Sequence, residues 1–214
     1  MSDFTNAFNE ISELLQKGKA KDIVGAVENA LNEGAQAADI LEKGLIAGMN
    51  IIGVKFKNGD VFVPEVLIAA RAMNRASAAL KPALMKAGVE PVGKAIICTV
   101  KGDLHDIGKN LVKMMIEGKG VEVVDLGVDC ANEKIVETVK NSDARVLCLS
   151  ALLTTTMLSQ KEAIDALKAA GLRDKVKVMV GGAPVTKSFA DEIGADAYSP
   201  DAATAAEVCR AFFG

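Results

Sequence analysis

The chain has 214 residues, half of them hydrophobic and a quarter charged, with a formal net charge of −3. That balance fits one or two globular domains, excludes a largely disordered chain and disfavours a nucleic-acid-binding surface. The longest uncharged stretch, Val146 to Gln160, has 15 residues, short of the about 20 a membrane span needs, and the acid-bearing start MSDFTNAFNEISELLQKG has no apolar signal core.

Residues 1–90 read as helices. Phe4, Phe8, Ile11 and Leu14–Leu15 recur at the helical period, and Ile23, Val24, Val27 and Leu31 repeat it before a stop at Gly34. A third helix is expected from about Ala35 to Phe56. Its Gly44, Gly48 and Gly53 mean either close helix packing or room for a flat ligand. Lys57–Asn58–Gly59–Asp60 reads as a turn, and Phe62–Val63–Pro64–Glu65 opens a fourth helix. Val66, Leu67, Ala70, Met73, Ala76 and Leu80 continue it until Pro82, which is expected to kink or break it. Four helices with short connections predict a bundle.

Residues 88–93 read as a linker, and the period then changes. Apolar runs at 95–100, 121–126, 146–149 and 176–180, with a last strand near 195–198, alternate with helical patterns. The reading for 91–214 is a five-stranded parallel sheet in a doubly wound, Rossmann- or flavodoxin-like α/β domain. Ligands of such sheets sit beyond the carboxyl ends of the strands, where the strand order reverses. None of Cys98, Cys130, Cys148 and Cys209 forms a CxxC pair, so reduced thiols and a cytoplasmic protein are expected.

The first of these strands leads into Lys101–Gly102–Asp103–Leu104–His105–Asp106–Ile107–Gly108–Lys109–Asn110. His105 is the chain's single histidine and falls at the expected ligand edge. Asp103 is close enough to bond one ring nitrogen, fix the tautomer and make the other nitrogen a better ligand. Gly108 leaves room for something lying against the backbone.

The run from Gly102 to Asn110 resembles the signature of proteins that bind cobalamin base-off with a histidine on cobalt. Ser150–Ala151–Leu152 is similar to that family's Ser-x-Leu element and Gly181–Gly182–Ala183 to its Gly-Gly element. Phe56, Gly59 and the Phe62–Val63–Pro64–Glu65 turn resemble its helical cap. Nearly the whole chain is covered, with residues 1–90 as cap and 91–214 as the cobalamin-binding domain. Length and domain order look most like the small corrinoid proteins of methyltransferase systems, and like the cobalamin-binding region of methionine synthase.

The resemblance implies that His105 is the lower axial ligand of cobalt and that Asp103 tunes its proton. The relay would continue to Thr156, where methionine synthase has a serine. Gly102, Leu104, Asp106, Ile107 and Gly108 would line the corrin site with them. Ser150, Leu152 and Thr154 would line the slot for the displaced nucleotide tail, and Gly181 and Gly182 would let it pass close to the backbone. Tyr198 and Ser199 would close the slot. Met49, Phe56, Phe62 and Met73 are candidates for covering the upper corrin face, although plain bundle core explains each.

The implied function is carriage of a methyl group on cobalamin or a related corrinoid, methylcobalamin in turnover. One substrate-specific methyltransferase would load it, a second would unload it onto tetrahydrofolate or a thiol, and a reductive activase would service it. The chain has no room for the methyltransferase barrels and is not expected to be a complete enzyme alone. The alternative is the cobalamin-binding subunit of an adenosylcobalamin-dependent mutase. The residues leave open the methyl donor, the acceptor and the oligomeric state.

Overall fold

Residues 4–214 are described by a computed structural model. They form two units, residues 4–91 with Gly118–Gly120, and Val92–Glu117 with Val121–Gly214.

The first unit is helical. α1 (Thr5–Gln16) buries Phe8, Ile11 and Leu15, and α2 (Asp22–Asn32) buries Ile23, Val27 and Ala30. Gly34, at φ +98°, ends α2. The Ala35 N–H reaches back to the Ala30 carbonyl at 2.9 Å and the Gly34 N–H to Leu31 at 3.0 Å, which satisfies carbonyls the helix leaves open.

Residues 37–58 make one helical run: α3 (Ala37–Asp39), a π-helical stretch (Ile40–Ile46) and α4 (Ala47–Asn58). The glycines here let α1 approach. A Cβ on Gly44 would stand 3.0 Å from Ile11 Cγ2, and one on Gly48 would stand 3.1 Å from the Ser12 carbonyl oxygen. Close packing therefore accounts for both.

α5 (Val63–Lys86) opens as expected, with the Phe62 N–H donating to Glu65 Oε2 at 2.9 Å and a proline in the first turn. The break expected at Pro82 is not found, because the helix runs through it to Lys86. Proline removes only the donor to the Ala78 carbonyl, and Ala78 is exposed, so water can take the vacated acceptor.

The second unit alternates strand and helix: β1 (Lys94–Thr99), α6 (Ile107–Glu117), β2 (Glu122–Asp125), α7 (Asn132–Asn141), β3 (Val146–Ser150), α8 (Met157–Ala169), β4 (Lys177–Gly181), α9 (Lys187–Glu192), β5 (Ala197–Tyr198) and α10 (Ala202–Ala211). All strand pairs are parallel, in the order β2-β1-β3-β4-β5. The expected five-stranded, doubly wound sheet is what folds.

Alternate strand residues face opposite layers. Ile96, Cys98, Leu147, Leu149, Val178 and Val180 form one core with Ile135 and Val139 of α7, Ile164 and Leu167 of α8, and Ile193. α6 and α10 pack together as another helical layer. Each fully buried Ile, Leu or Val contributes about 1.5–3 kcal/mol. All four cysteines are buried free thiols, so they serve as small core residues.

The strand order reverses between β1 and β3. The loops that follow these two strands, 100–106 and 151–156, therefore flank the crevice where such sheets bind ligands.

Candidate functional site

Asp103 joins the two loops. Its side chain is fully buried, and both carboxylate oxygens are used. Oδ1 accepts the His105 backbone N–H at 3.0 Å and lies 2.7 Å from His105 Nδ1. Oδ2 accepts the Leu152 backbone N–H and the Thr156 hydroxyl, each at 2.7 Å. Burial pushes the Asp103 carboxyl up, but the Leu152 and His105 amides, the Thr156 hydroxyl and the imidazole together hold it well below the usual carboxylate range.

An ionised carboxylate only accepts, so Nδ1 must carry the ring proton. Nε2 then presents its lone pair. It has no hydrogen-bond partner among the described residues, and the His105 side chain is 49% exposed. At the other end, the Thr99 hydroxyl donates to the His105 carbonyl at 2.8 Å. The ring is thus fixed on one side and open on the other.

The Thr156 hydroxyl has one proton and two acceptors, Asp103 Oδ2 at 2.7 Å and the Leu153 carbonyl at 3.0 Å. Turning the hydroxyl changes the number of donors on Asp103 from four to three. That alters how strongly the carboxylate holds the His105 Nδ1–H, and hence the basicity of Nε2.

The surroundings fit a large apolar ligand. Leu104 is 73% exposed and Ile107 is 77% exposed, on either side of His105. A Cβ at Gly108 would meet nothing within 4 Å. No group of three or more His, Cys, Asp or Glu among the described residues could hold a bare metal ion. One imidazole nitrogen in an apolar setting suits a metal that arrives already held by a macrocycle, with one axial position to fill.

The other expected residues divide. Thr154 and Leu152 are exposed and Ser150 is half-buried, all in or beside the β3–α8 loop. Asp106 accepts the Asn110 side-chain amide at 3.2 Å in the first turn of α6. Gly181, which ends β4, and Gly182, just past it, answer first to the fold. Gly182 sits at φ +131°, where a Cβ would lie 1.8 Å from the Ala151 carbonyl oxygen, and one on Gly181 would lie 3.1 Å from that of Ser199. Ser199 is buried with its hydroxyl on Met179 Sδ at 3.2 Å, while Tyr198 packs against the core. In the first unit, Met49 and Met73 are buried, Phe56 is half-buried and Phe62 is 67% exposed.

Four features escaped the sequence reading. Thr99 holds the histidine loop from below, and the Leu152 amide serves the Asp103 carboxylate. Lys109, its side chain 2% exposed, pairs with Asp125 at 2.7 and 2.8 Å and so ties α6 to β2. Gln160, fully buried, donates to the Leu149 and Gly181 carbonyls, and its Oε1 has no partner among the described residues.

Two B12 binding domain families match the chain, over residues 7–81 and 93–208. The chain is 45% identical over 198 residues to the dimethylamine corrinoid protein of Methanosarcina barkeri, covering 92% of each. Its fold matches a cobalamin-binding protein from Desulfitobacterium hafniense with a TM-score of 0.81 and 33% identity, covering 97% of this chain and 98% of that one. It also matches a chain of the methanol:cobalamin methyltransferase complex of Methanosarcina barkeri, with a TM-score of 0.86, 28% identity, and 97% and 80% coverage. With its half-exposed imidazole at the reversal point of the sheet, the chain belongs to the cobalamin-binding corrinoid methyl-carrier proteins.

Proposed function

We propose that this protein carries a methyl group between a methylamine-specific methyltransferase and a second methyltransferase that delivers it to a thiol or to tetrahydrofolate. When bound, the corrinoid would supply a cobalt able to carry a methyl group, and His105 is the residue that would hold it. The observation that carries the reading is the Asp103 carboxylate held between His105 and Thr156.

In this reading His105 Nε2 would hold the cobalt, and Asp103 would fix the tautomer that turns this nitrogen outward by accepting the proton on Nδ1. Thr156 sets how firmly that proton is held. Ligand strength can thereby follow the electron demand of the metal, through hydrogen bonding one residue removed from it. Leu104 and Ile107, exposed beside His105, would shield that side of the group from water. Ser150, Leu152 and Thr154 line the path of the displaced nucleotide tail.

The amine donor is inferred from the dimethylamine corrinoid relative, and the methyltransferase partner from the methanol complex. The mutase alternative is not favoured, since these relatives belong to methyl-transfer systems. A reductive activase is expected as a third partner, because a reduced corrinoid is easily oxidised. Four buried free thiols favour the cytoplasm, and no helix among the described residues is long and apolar enough to cross a membrane.

The test mixes the reduced, corrinoid-loaded protein with dimethylamine and a dimethylamine-specific methyltransferase. The reading expects monomethylamine to form in step with the change in corrinoid spectrum. A loaded protein that accepts methyl groups from methanol but from no methylamine would overturn the donor assignment. One that accepts none from any donor would overturn the carrier role.

A further inference from the structure

Asp129, in the loop between β2 and α7, is the one non-glycine residue with positive φ among the described residues, at +46°. Aspartate tolerates this left-handed conformation better than most residues, yet it persists only where surrounding contacts hold it. Here they are specific. Asp129 Oδ1 accepts the Gly102 N–H at 2.7 Å, and the Asp129 N–H donates to the Asp103 carbonyl at 2.9 Å. One residue thus grips both sides of the Gly102–Asp103 turn.

Gly102 is itself at φ +82° and has no side chain to brace that turn. The adjoining residue, Cys130, donates its N–H to the Thr99 carbonyl at 3.0 Å, and Thr99 holds the His105 carbonyl. The segment carrying Asp129 is therefore anchored to β1 on one side of the histidine loop and bonded to the loop itself on the other.

We infer that Asp129 is a positioning residue for His105, acting through Asp103. By fixing the Gly102–Asp103 turn it aims the Asp103 carboxylate at Nδ1, and so selects the imidazole tautomer that leaves Nε2 open. Its own hydrogen bonds go to Gly102 and Asp103, not to His105. The inference rests on the reading of His105 as the ligand residue, but it concerns the protein's own hydrogen bonds and is testable without a corrinoid.

Because His105 is the only histidine, nitrogen-15 NMR of the imidazole reports it without ambiguity. The experiment compares ring-nitrogen shifts at about pH 8, above the usual histidine range, in wild type, D129G and D129N. Glycine adopts φ +46° freely, so D129G removes the acceptor and adds no strain. Asparagine keeps both an acceptor oxygen and tolerance of positive φ. Wild type is expected to show the Nδ1–H tautomer. D129G should move the tautomer ratio about three- to tenfold toward Nε2–H, the weight of one hydrogen bond, with its fold retained by circular dichroism. D129N should restore the wild-type ratio. A wild-type ratio in D129G, with the Nδ1–H form lost in D103N, would overturn the positioning role alone. A D129N that behaves like D129G would contradict the hydrogen-bond assignment. An Nε2–H tautomer in wild type itself would instead overturn the His105–Asp103 reading beneath it.

Discussion

At Asp103, burial and hydrogen bonding oppose each other, and hydrogen bonding wins. A buried carboxylate with four donors is stable only while ionised, since protonation turns one acceptor into a donor facing other donors. The folded-state pKa therefore lies below the unfolded value of about 3.9. The stability Asp103 contributes is fully present above that value and is lost as pH falls toward the folded one. Asp125 and Asp196 are shifted the same way; burial raises both, and bonds led by Lys109 for Asp125 and by the Val178 amide for Asp196 outweigh it. The urea midpoint of wild type should thus fall steadily below about pH 4. D103N should cost about 2–3 kcal/mol at neutral pH, lowering the melting temperature by about 4–12 °C, and should flatten the acid dependence. A D103N protein as stable as wild type, with the same acid profile, would show that the four bonds carry no net weight.

Among the elements, two glycines test the division between fold and ligand. Gly182 holds a backbone conformation almost exclusive to glycine, with a carbonyl oxygen where its Cβ would be. G182A should destabilise the apoprotein by at least about 2 kcal/mol, read by thermal melting. Gly108, in the first turn of α6, faces open space. G108A should leave the apoprotein unchanged or stabilise it by up to about 1 kcal/mol, yet weaken corrinoid retention if the macrocycle lies there. An unchanged retention in G108A removes that glycine from the site.

The strands and most helices were legible because apolar runs and helical spacing survive in a doubly wound fold. The π-helical stretch at 40–46 was not legible, since its apolar spacing reads as an ordinary helix. Of the kink or break expected at Pro82, the break does not occur, because the carbonyl the proline frees belongs to an exposed residue, Ala78. Within the site, the Asp-x-His spacing was visible as a local pattern. The Leu152 amide and Asp129 were not, because their partners lie 49 and 27 residues away and a backbone donor leaves no trace in residue type. Thr156, 53 residues from Asp103, entered only through family resemblance. The glycines at 181 and 182 were visible, but their immediate reason is a strand-to-loop packing that no spacing reveals.

Across the whole molecule, a helical unit precedes an α/β unit whose strand order reverses between β1 and β3. The α/β unit concentrates an imidazole nitrogen without a partner among the described residues, a buried carboxylate and exposed apolar side chains at one sheet edge. That combination suits a macrocyclic ligand with one open position on its metal. The most direct test is the ultraviolet–visible spectrum of protein reconstituted with hydroxocobalamin, beside H105A. Wild type is predicted to retain stoichiometric corrinoid through desalting, with H105A showing a changed axial-ligand spectrum. A wild type that elutes colourless under both reducing and oxidising conditions would contradict corrinoid binding, and a variant spectrum identical to wild type would contradict His105 as the ligand.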